Sequence, residues 1–402
     1  MEGEDSSIRD TAAAAPQVAV YGSMLVGISM MTSILWMPSM LGAVAVAYSL
    51  GAKPVSHLAS AELFGFLVGT LMTRSGSVSA VRRAILPGCL LIVAANAWMA
   101  LHNGQAPTVA VRMLAGLGAG IGFGYALKVC ATSAQPTRSF GLLTGSMSLM
   151  MVIGFQLSAR MIAPGHAAGT TLGLARGVLR SLALIYVVAA AAAALLNFVN
   201  DIPNSLSGAT AMAQKPSLPS PRVLIGLLAI ALAFIGQGGI WSFLQILGVS
   251  HGFSVSGVAN AMSAFAIVGI IGSLTAAATP QRWPRWAVMG IILPILWCGL
   301  YFLYAASSIF WYVVGCALGG FYWNYTLPLV LGLLARLDQT GQGSVLGGTM
   351  SSAGSALGPL IVGLMIQGTN YWPAGVLAGL LCLASTICVA IIERYARQLR
   401  IC

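Results

Sequence analysis

Charge is the scarcest property of this chain. Only 7% of its 402 residues are Asp, Glu, Lys or Arg, against about 25% in an average soluble domain. A soluble fold of this size needs a charged surface, so the deficit points to a polytopic membrane protein. Acids are rarest: eight in all, with only Glu62 inside a long apolar run. No Cys-x-x-Cys pair occurs, and the four histidines are scattered, so no metal site is expected. Six of the seven cysteines lie in apolar stretches and read as small apolar residues. There is no intramembrane Ser/His pair, no pair of intramembrane acids and no phosphate-binding glycine loop. These absences argue against an enzyme, against ATP-driven pumping and against any cofactor. The first 17 residues carry Glu2, Glu4, Asp5 and Asp10 against Arg9 and lack the basic start of a signal peptide. The first apolar run is therefore expected to act as an uncleaved targeting segment.

What is present is apolar: 58% of residues are hydrophobic and 48 are glycine. Small residues let membrane helices approach closely. Runs long enough to cross a bilayer, about 20 residues, occur twelve times, which predicts an all-α polytopic membrane protein with twelve transmembrane helices in two six-helix bundles. The first six expected spans are Val18–Gly42, Val55–Thr73, Ala84–Leu101, Thr108–Thr132, Ser139–Ala163 and Leu179–Val199. The second six are Val223–Leu247, Val255–Ala278, Trp286–Ala306, Ile309–Leu333, Ser344–Ile366 and Trp372–Ile392. Between them, Asn200–Arg222 is polar and rich in Pro, Ser and Gln, as a flexible linker would be. The expected organisation is a tail (1–17), a bundle (18–199), a linker (200–222), a second bundle (223–392) and a tail (393–402).

Basic residues set the orientation. With the N-terminus cytoplasmic, fourteen Lys and Arg fall on the cytoplasmic side and four outside, namely Lys53, Arg160, Arg176 and Arg180. That asymmetry predicts both termini inside, and it explains the net charge of +11 without a nucleic-acid partner. The two halves also echo each other at an offset of 203 residues. Ser60-Ala61 matches Ser263-Ala264, Gly69-x-Leu71 matches Gly272-x-Leu274, and Gly145-Ser146-Met147-Ser148 matches Gly348-Thr349-Met350-Ser351. One offset across several spans argues for two parallel repeats.

The stretch Val55–Arg83 joins these threads. It opens as an apolar helix carrying Glu62 and continues with Gly65 and Gly69 at helical spacing. It ends in a polar turn with Arg74, Arg82 and Arg83. The run Gly69-Thr70-Leu71-Met72-Thr73-Arg74-Ser75-Gly76 resembles the signature turn between the second and third helices of major facilitator superfamily transporters, with Thr73 where that family usually has Asp. The resemblance implies a gating loop built from Gly69, Arg74, Gly76, Arg82 and Arg83. In the fourth span, Arg112-Met113-Leu114-Ala115-Gly116-Leu117-Gly118-Ala119-Gly120 resembles the family's Arg-x-Leu-x-Gly-x-Gly-x-Gly pattern, whose arginine is associated with proton coupling and substrate charge. The fifth span lacks the Gly-Pro step of the family's drug–proton antiporters; a Gly358-Pro359 occurs in the eleventh.

Glu62 lies roughly 10 Å down its helix, and Arg112 falls at a similar depth in a helix running the same way. The expectation is a partly buried ion pair that loosens when Glu62 takes a proton, since low dielectric favours the neutral acid and a nearby guanidinium the charged one. In the seventh span Gln237, Trp241 and Gln245 recur every four residues on one face. In the tenth, Trp323-Asn324-Tyr325 is mid-helix, and Trp36 precedes Pro38 in the first. In the resembled fold, spans one, four, seven and ten line a central cavity. Trp36, Arg112, Gln237, Trp241, Gln245, Trp323, Asn324 and Tyr325 are the expected substrate-binding residues.

The expected function is secondary, proton-coupled transport of a small organic solute by alternating access, in a monomer embedded in the lipid of a bacterial cytoplasmic (inner) membrane. Basic residues on the outer side favour uptake of an organic acid, aromatic acids among them. Export of a lipophilic compound is the alternative, and a non-transporting receptor on the same fold is a third reading.

Overall fold

A computed structural model describes residues 16–73, 77–102, 107–131, 133, 136–161, 172–199, 220–280, 283–337, 342–366, 368 and 370–398. Its first half comprises α1 (Gln17–Met30), α2 (Thr32–Leu35), α3 (Met37–Ala47), α4 (Ala52–Met72), α5 (Val78–Leu101), α6 (Val109–Ala131), α7 (Pro136–Met161) and α8 (Leu172–Val199). The second half comprises α9 (Pro221–Ser250), α10 (Val255–Ala278), α11 (Arg285–Tyr304), α12 (Ile309–Leu337), α13 (Gln342–Met365) and α14 (Trp372–Gln398). Taken together, α1, α2 and α3 form one interrupted crossing, which gives the expected twelve. Among the described residues, nine helices are singly long and apolar enough to cross a membrane. The N-terminal tail (1–15) and most of the linker (200–219) lie outside the described residues.

Local chemistry sets several helix starts. The side chains of Ser77, Ser220 and Ser254 accept hydrogen bonds from the backbone N–H groups three residues on, at the heads of α5, α9 and α10, satisfying donors that a helix leaves open. The first crossing breaks at Met31 and Trp36. Pro38 has no N–H, and its ring crowds the carbonyl four residues back, so the chain turns out of helical geometry at Trp36 (φ −103°, ψ 12°). Several helices run past their apolar spans. α14 continues to Gln398 rather than ending at Ile392, and α5 begins at Val78 rather than Ala84. In each case the helix continues past the point where the hydrophobic run ends.

Each half builds most of one buried core, with Phe243, Ala356, Val362 and Ala374 of the second half joining the first core and Phe155 and Ala159 of α7 joining the second. Glycine determines the closest packing. A Cβ on Gly116 or Gly120 of α6 would land on the carbonyls of Glu62 or Phe66 of α4, and one on Gly65 would land on that of Met113. The second half repeats this device: Gly320 of α12 sits against the Phe265 carbonyl of α10, and Gly272 against that of Phe321. These helix pairs are counterparts in the two repeats: α4 and α10 are related by the 203-residue offset, and the α6 and α12 contacts lie one residue beyond it.

The halves meet along a seam confined to one end of the bundle. There the Gln156 amide of α7 donates to Asn260 Oδ1 at 2.8 Å and to Ser263 Oγ at 3.0 Å on α10. Gly42 of α3 abuts the Gln245 side chain of α9, Ser242 approaches the Met37 sulfur, and Gly363 of α13 abuts Ser56 of α4. The end bearing the start of α1, the close of α8 and the close of α14 is the opposite one.

Candidate functional site

Two constellations stand out. The first is ionic. Glu62 and Arg112, both 0% exposed, form a two-pronged ion pair: Arg112 Nη2 meets Glu62 Oε1, and Arg112 Nε donates to Glu62 Oε2 at 3.2 Å. The glycine contact between α4 and α6 places them side by side. Arg112 Nη1 also reaches Asn96 Oδ1 at 3.4 Å and the Met99 sulfur at 3.9 Å, both on α5. Asn96 is held in turn by its Nδ2 donating to the Ile92 carbonyl at 2.8 Å. Tyr186 of α8 lies within electrostatic range of both charges, and its buried hydroxyl has no hydrogen-bond partner among the described residues. A buried pair survives only when its remaining donors and acceptors are also met, which is what Asn96 contributes. Sequence reasoning missed Asn96 and Tyr186. Asn96 could have been found as a lone amide in the apolar run Ala94-Ala95-Asn96-Ala97.

The second constellation is a cavity of about 200 Å³ between the halves. Aromatic rings from the second half form one wall. Trp241 of α9 lies 4.9 Å from Phe265 of α10 and 6.4 Å from Trp323 of α12, centre to centre. Phe155 of α7 meets Trp241 edge-on at 5.8 Å, closing the floor toward the seam. From the first half come Met31, Ile34 and Leu35 beside the break in crossing one, Leu63 and Phe66 of α4, and Met147 and Met151 of α7. Ser351, Ser352 and Ser355 of α13 supply hydroxyl groups, and Gly238 completes the lining. Among the described lining residues none is ionisable. In α4, α7, α9, α10 and α13 alike, the lining residues lie on the side of the seam residues that faces the end bearing the start of α1. The cavity therefore lies between the seam and that end, and Met147, Met151, Ser351 and Ser352 are part-exposed there.

Of the eight expected substrate-binding residues, Trp241 and Trp323 line this cavity. The other six are placed elsewhere. Arg112 is enclosed by α4 and α5, its guanidinium held by Glu62. Trp36 is buried in the first half, its indole N–H donating to the Met150 carbonyl at 2.8 Å and its ring 6.0 Å from Tyr186. Gln237, 4% exposed, turns toward Cys382 of α14, and Gln245 belongs to the seam. Asn324 donates to the Gly320 carbonyl of its own helix at 3.1 Å. The Tyr325 hydroxyl pairs with Thr279 Oγ1 at 2.7 Å. The four-residue spacing on α9 had put Gln237, Trp241 and Gln245 on one face. A face wide enough to touch α14, the cavity and the seam is divided among all three.

The expected gating residues are also spread out. Arg74 and Gly76 lie outside the described residues. Gly69 packs on α6 at the Leu117 carbonyl. Arg82 ties α5 to α8, donating to the Asn197 carbonyl at 3.1 Å while Asn197 Nδ2 reaches back to the Arg82 carbonyl at 3.4 Å. Arg83 is exposed. At the same end of the second half, Glu393 of α14 accepts from the backbone N–H groups of Arg285 at 2.9 Å and Trp286 at 3.3 Å. This carboxylate caps α11, whose own N-cap, Pro284, offers no side-chain acceptor.

The fold has many solved counterparts. A bacterial homologue of the human lysosomal transporter Spinster superposes with a TM-score of 0.65 at 13% identity, covering 94% of this chain and 96% of its own. The nucleoside transporter NupG gives a TM-score of 0.70 at 11% identity, covering 94% and 99%. The human organic anion transporter MFSD10 gives 0.59 at 17% identity, covering 93% and 98%. At these identities the likeness is one of fold. Comparison with curated protein sequences gives no match. Residues 12–359 match the Major Facilitator Superfamily profile, and with the helix pattern, the repeat and the two-bundle seam described above, the chain belongs to that superfamily.

Proposed function

We propose that the protein is a proton-driven exporter of lipophilic aromatic compounds. The observation that carries this reading is the cavity itself: aromatic and thioether walls, three serines, and no ionisable side chain among its described lining residues. An anionic substrate would need a cation there, and the expected one, Arg112, is committed to Glu62 away from the cavity. Arg112 thus lends no support to uptake of an organic acid, which rests on the basic residues of the outer side alone. Direction follows from physical chemistry. A lipophilic solute enters through the bilayer unaided, so work is needed only to remove it.

The basic-residue asymmetry favours termini in the cytoplasm, and the cavity then opens inward, where such a solute would be collected. Opening the seam would expose the cavity to the other side. Glu62 is the acid available to couple that step to a proton. With the proton on, its attraction for Arg112 weakens, and the α4–α6–α5 packing is free to take its other arrangement.

The test is the steady-state distribution of a fluorescent neutral aromatic compound across proteoliposome membranes, against protein-free liposomes, with the proton gradient imposed in either direction. Gradient-dependent movement that disappears in Glu62→Gln supports the proposal. Equal movement with and without a gradient, or gradient-driven movement of aromatic carboxylates instead, overturns it.

A further inference from the structure

The serines of the cavity narrow the substrate class, on the reading that this cavity takes the transported solute. Ser351 Oγ donates to the Gly348 carbonyl at 2.7 Å, and Ser352 Oγ donates to the same carbonyl at 3.2 Å. Each hydroxyl has one proton, and both protons are committed to the helix backbone. What the hydroxyls retain for a ligand is acceptor lone pairs. Ser355 is the third serine of the lining; the remaining described walls are aromatic, aliphatic and thioether groups, and an aromatic face is likewise attracted to positive hydrogen edges rather than to anions. The volume, about 200 Å³, suits a single ring with a short chain, since a cavity of about 150 Å³ takes benzene.

We infer that the preferred ligand is an uncharged aromatic ring bearing a hydrogen-bond donor, such as a phenol or an aromatic amine, with the ring against Trp241, Phe265 and Trp323 and the donor directed to Ser351 and Ser352. A ligand with only an acceptor at that point would have to strip a hydroxyl proton from the Gly348 carbonyl. A carboxylate would meet two lone pairs and no cation.

The experiment is competition binding to the purified full-length protein, with radiolabelled 4-butylphenol as tracer and unlabelled 4-butylphenol, its methyl ether and 4-butylbenzoate as competitors. The ether keeps ring, chain and acceptor and removes only the donor. The expected result is phenol binding roughly fivefold tighter than the ether, the worth of one net hydrogen bond, with benzoate weakest. In the Ser351→Ala/Ser352→Ala double variant the preference should fall to within about twofold while ether binding is unchanged. These substitutions keep the helix, so folding is not at issue. Equal binding of phenol and ether, or a preference that survives in the double variant, overturns the donor inference and leaves the lipophilic-solute reading standing. Failure of phenol and ether alike to bind, or loss of neither in Trp241→Ala, overturns both.

Discussion

The Glu62–Arg112 pair makes a prediction about the order of four proteins. Removing Glu62's charge as Glu62→Gln leaves Arg112 at 0% exposure with Asn96 Oδ1 at 3.4 Å and the Met99 sulfur at 3.9 Å. Both are long, neutral contacts. Breaking a buried pair on one side typically costs about 3–5 kcal/mol, because a charge is left without compensation. Arg112→Met alone strands the carboxylate in the same way. The double variant Glu62→Gln/Arg112→Met strands neither, and apolar or neutral replacements of a buried pair are often close to neutral in stability. The double variant should therefore be more stable than either single one, by about 2 kcal/mol or more, although it carries more changes. Thermal unfolding of all four proteins in the same detergent, followed by loss of the monodisperse peak on size exclusion, reads the order directly. An additive double variant, less stable than both singles, would refute the argument that uncompensated charge dominates this site.

Other outcomes follow from single contacts. Gly116→Ala should prevent accumulation of folded protein, because its Cβ would land on the Glu62 carbonyl, whereas Gly145→Ala, with nothing within 4 Å, should leave expression unchanged. Trp36→Phe loses the 2.8 Å bond to the Met150 carbonyl and should cost about 1 kcal/mol, seen as a lower unfolding temperature with transport retained. Gln156→Ala removes both bonds to Asn260 and Ser263. In a Ser263→Cys background, which keeps only the Asn260 bond, the reporter thiol should then react several-fold faster with an impermeant maleimide added outside cells, and an unchanged rate would mean that the seam does not depend on that bond. Glu393→Ala uncaps α11 and should lower stability by about 1 kcal/mol, with Glu393→Gln intermediate.

The global fold was legible because it rests on features that the bilayer forces into sequence: long apolar runs and a repeat held by glycines. Helix ends were less legible, since α9, α12 and α14 continue beyond the apolar layer. The pairing of Glu62 with Arg112 was also readable, because two charges in an apolar chain have few other partners. Its depth was not. A partly buried pair was expected, and 0% exposure was found, because Gly116 and Gly120 bring α4 closer to α6 than a count of residues reveals. Cavity residues were the least legible. Polar character marked Gln237, Asn324 and Tyr325, yet Asn324 and Tyr325 are satisfied within their own half, and Gln237 is buried beside Cys382. The real lining is Phe, Trp, Met and Ser, residue types that occur throughout a membrane protein and carry no positional signal of their own.

The repeat shows how one architecture came to hold two different sites. At the 203-residue offset, Glu62 corresponds to Phe265. Their backbones are equivalent: the Glu62 carbonyl rests on Gly116, and the Phe265 carbonyl rests on Gly320. Their side chains are not. Glu62 closes on Arg112 within the first half, while Phe265 packs tilted on Trp241 and edge-on to Trp323 at the cavity wall. Charge therefore sits in the first bundle and the aromatic surface in the second. Under the proposed mechanism, proton and solute would be held by different bundles, and neither could drive transport without moving the other. The interrupted crossing is the element placed to transmit that motion. Met31, Ile34 and Leu35 line the cavity, while Trp36, the next residue, touches Tyr186 beside the ion pair. A rigid α-helix there would pass a displacement along its whole length. Under the same mechanism the two breaks, at Met31 and Trp36, would let the four residues between them shift with the ligand and press on the charged cluster.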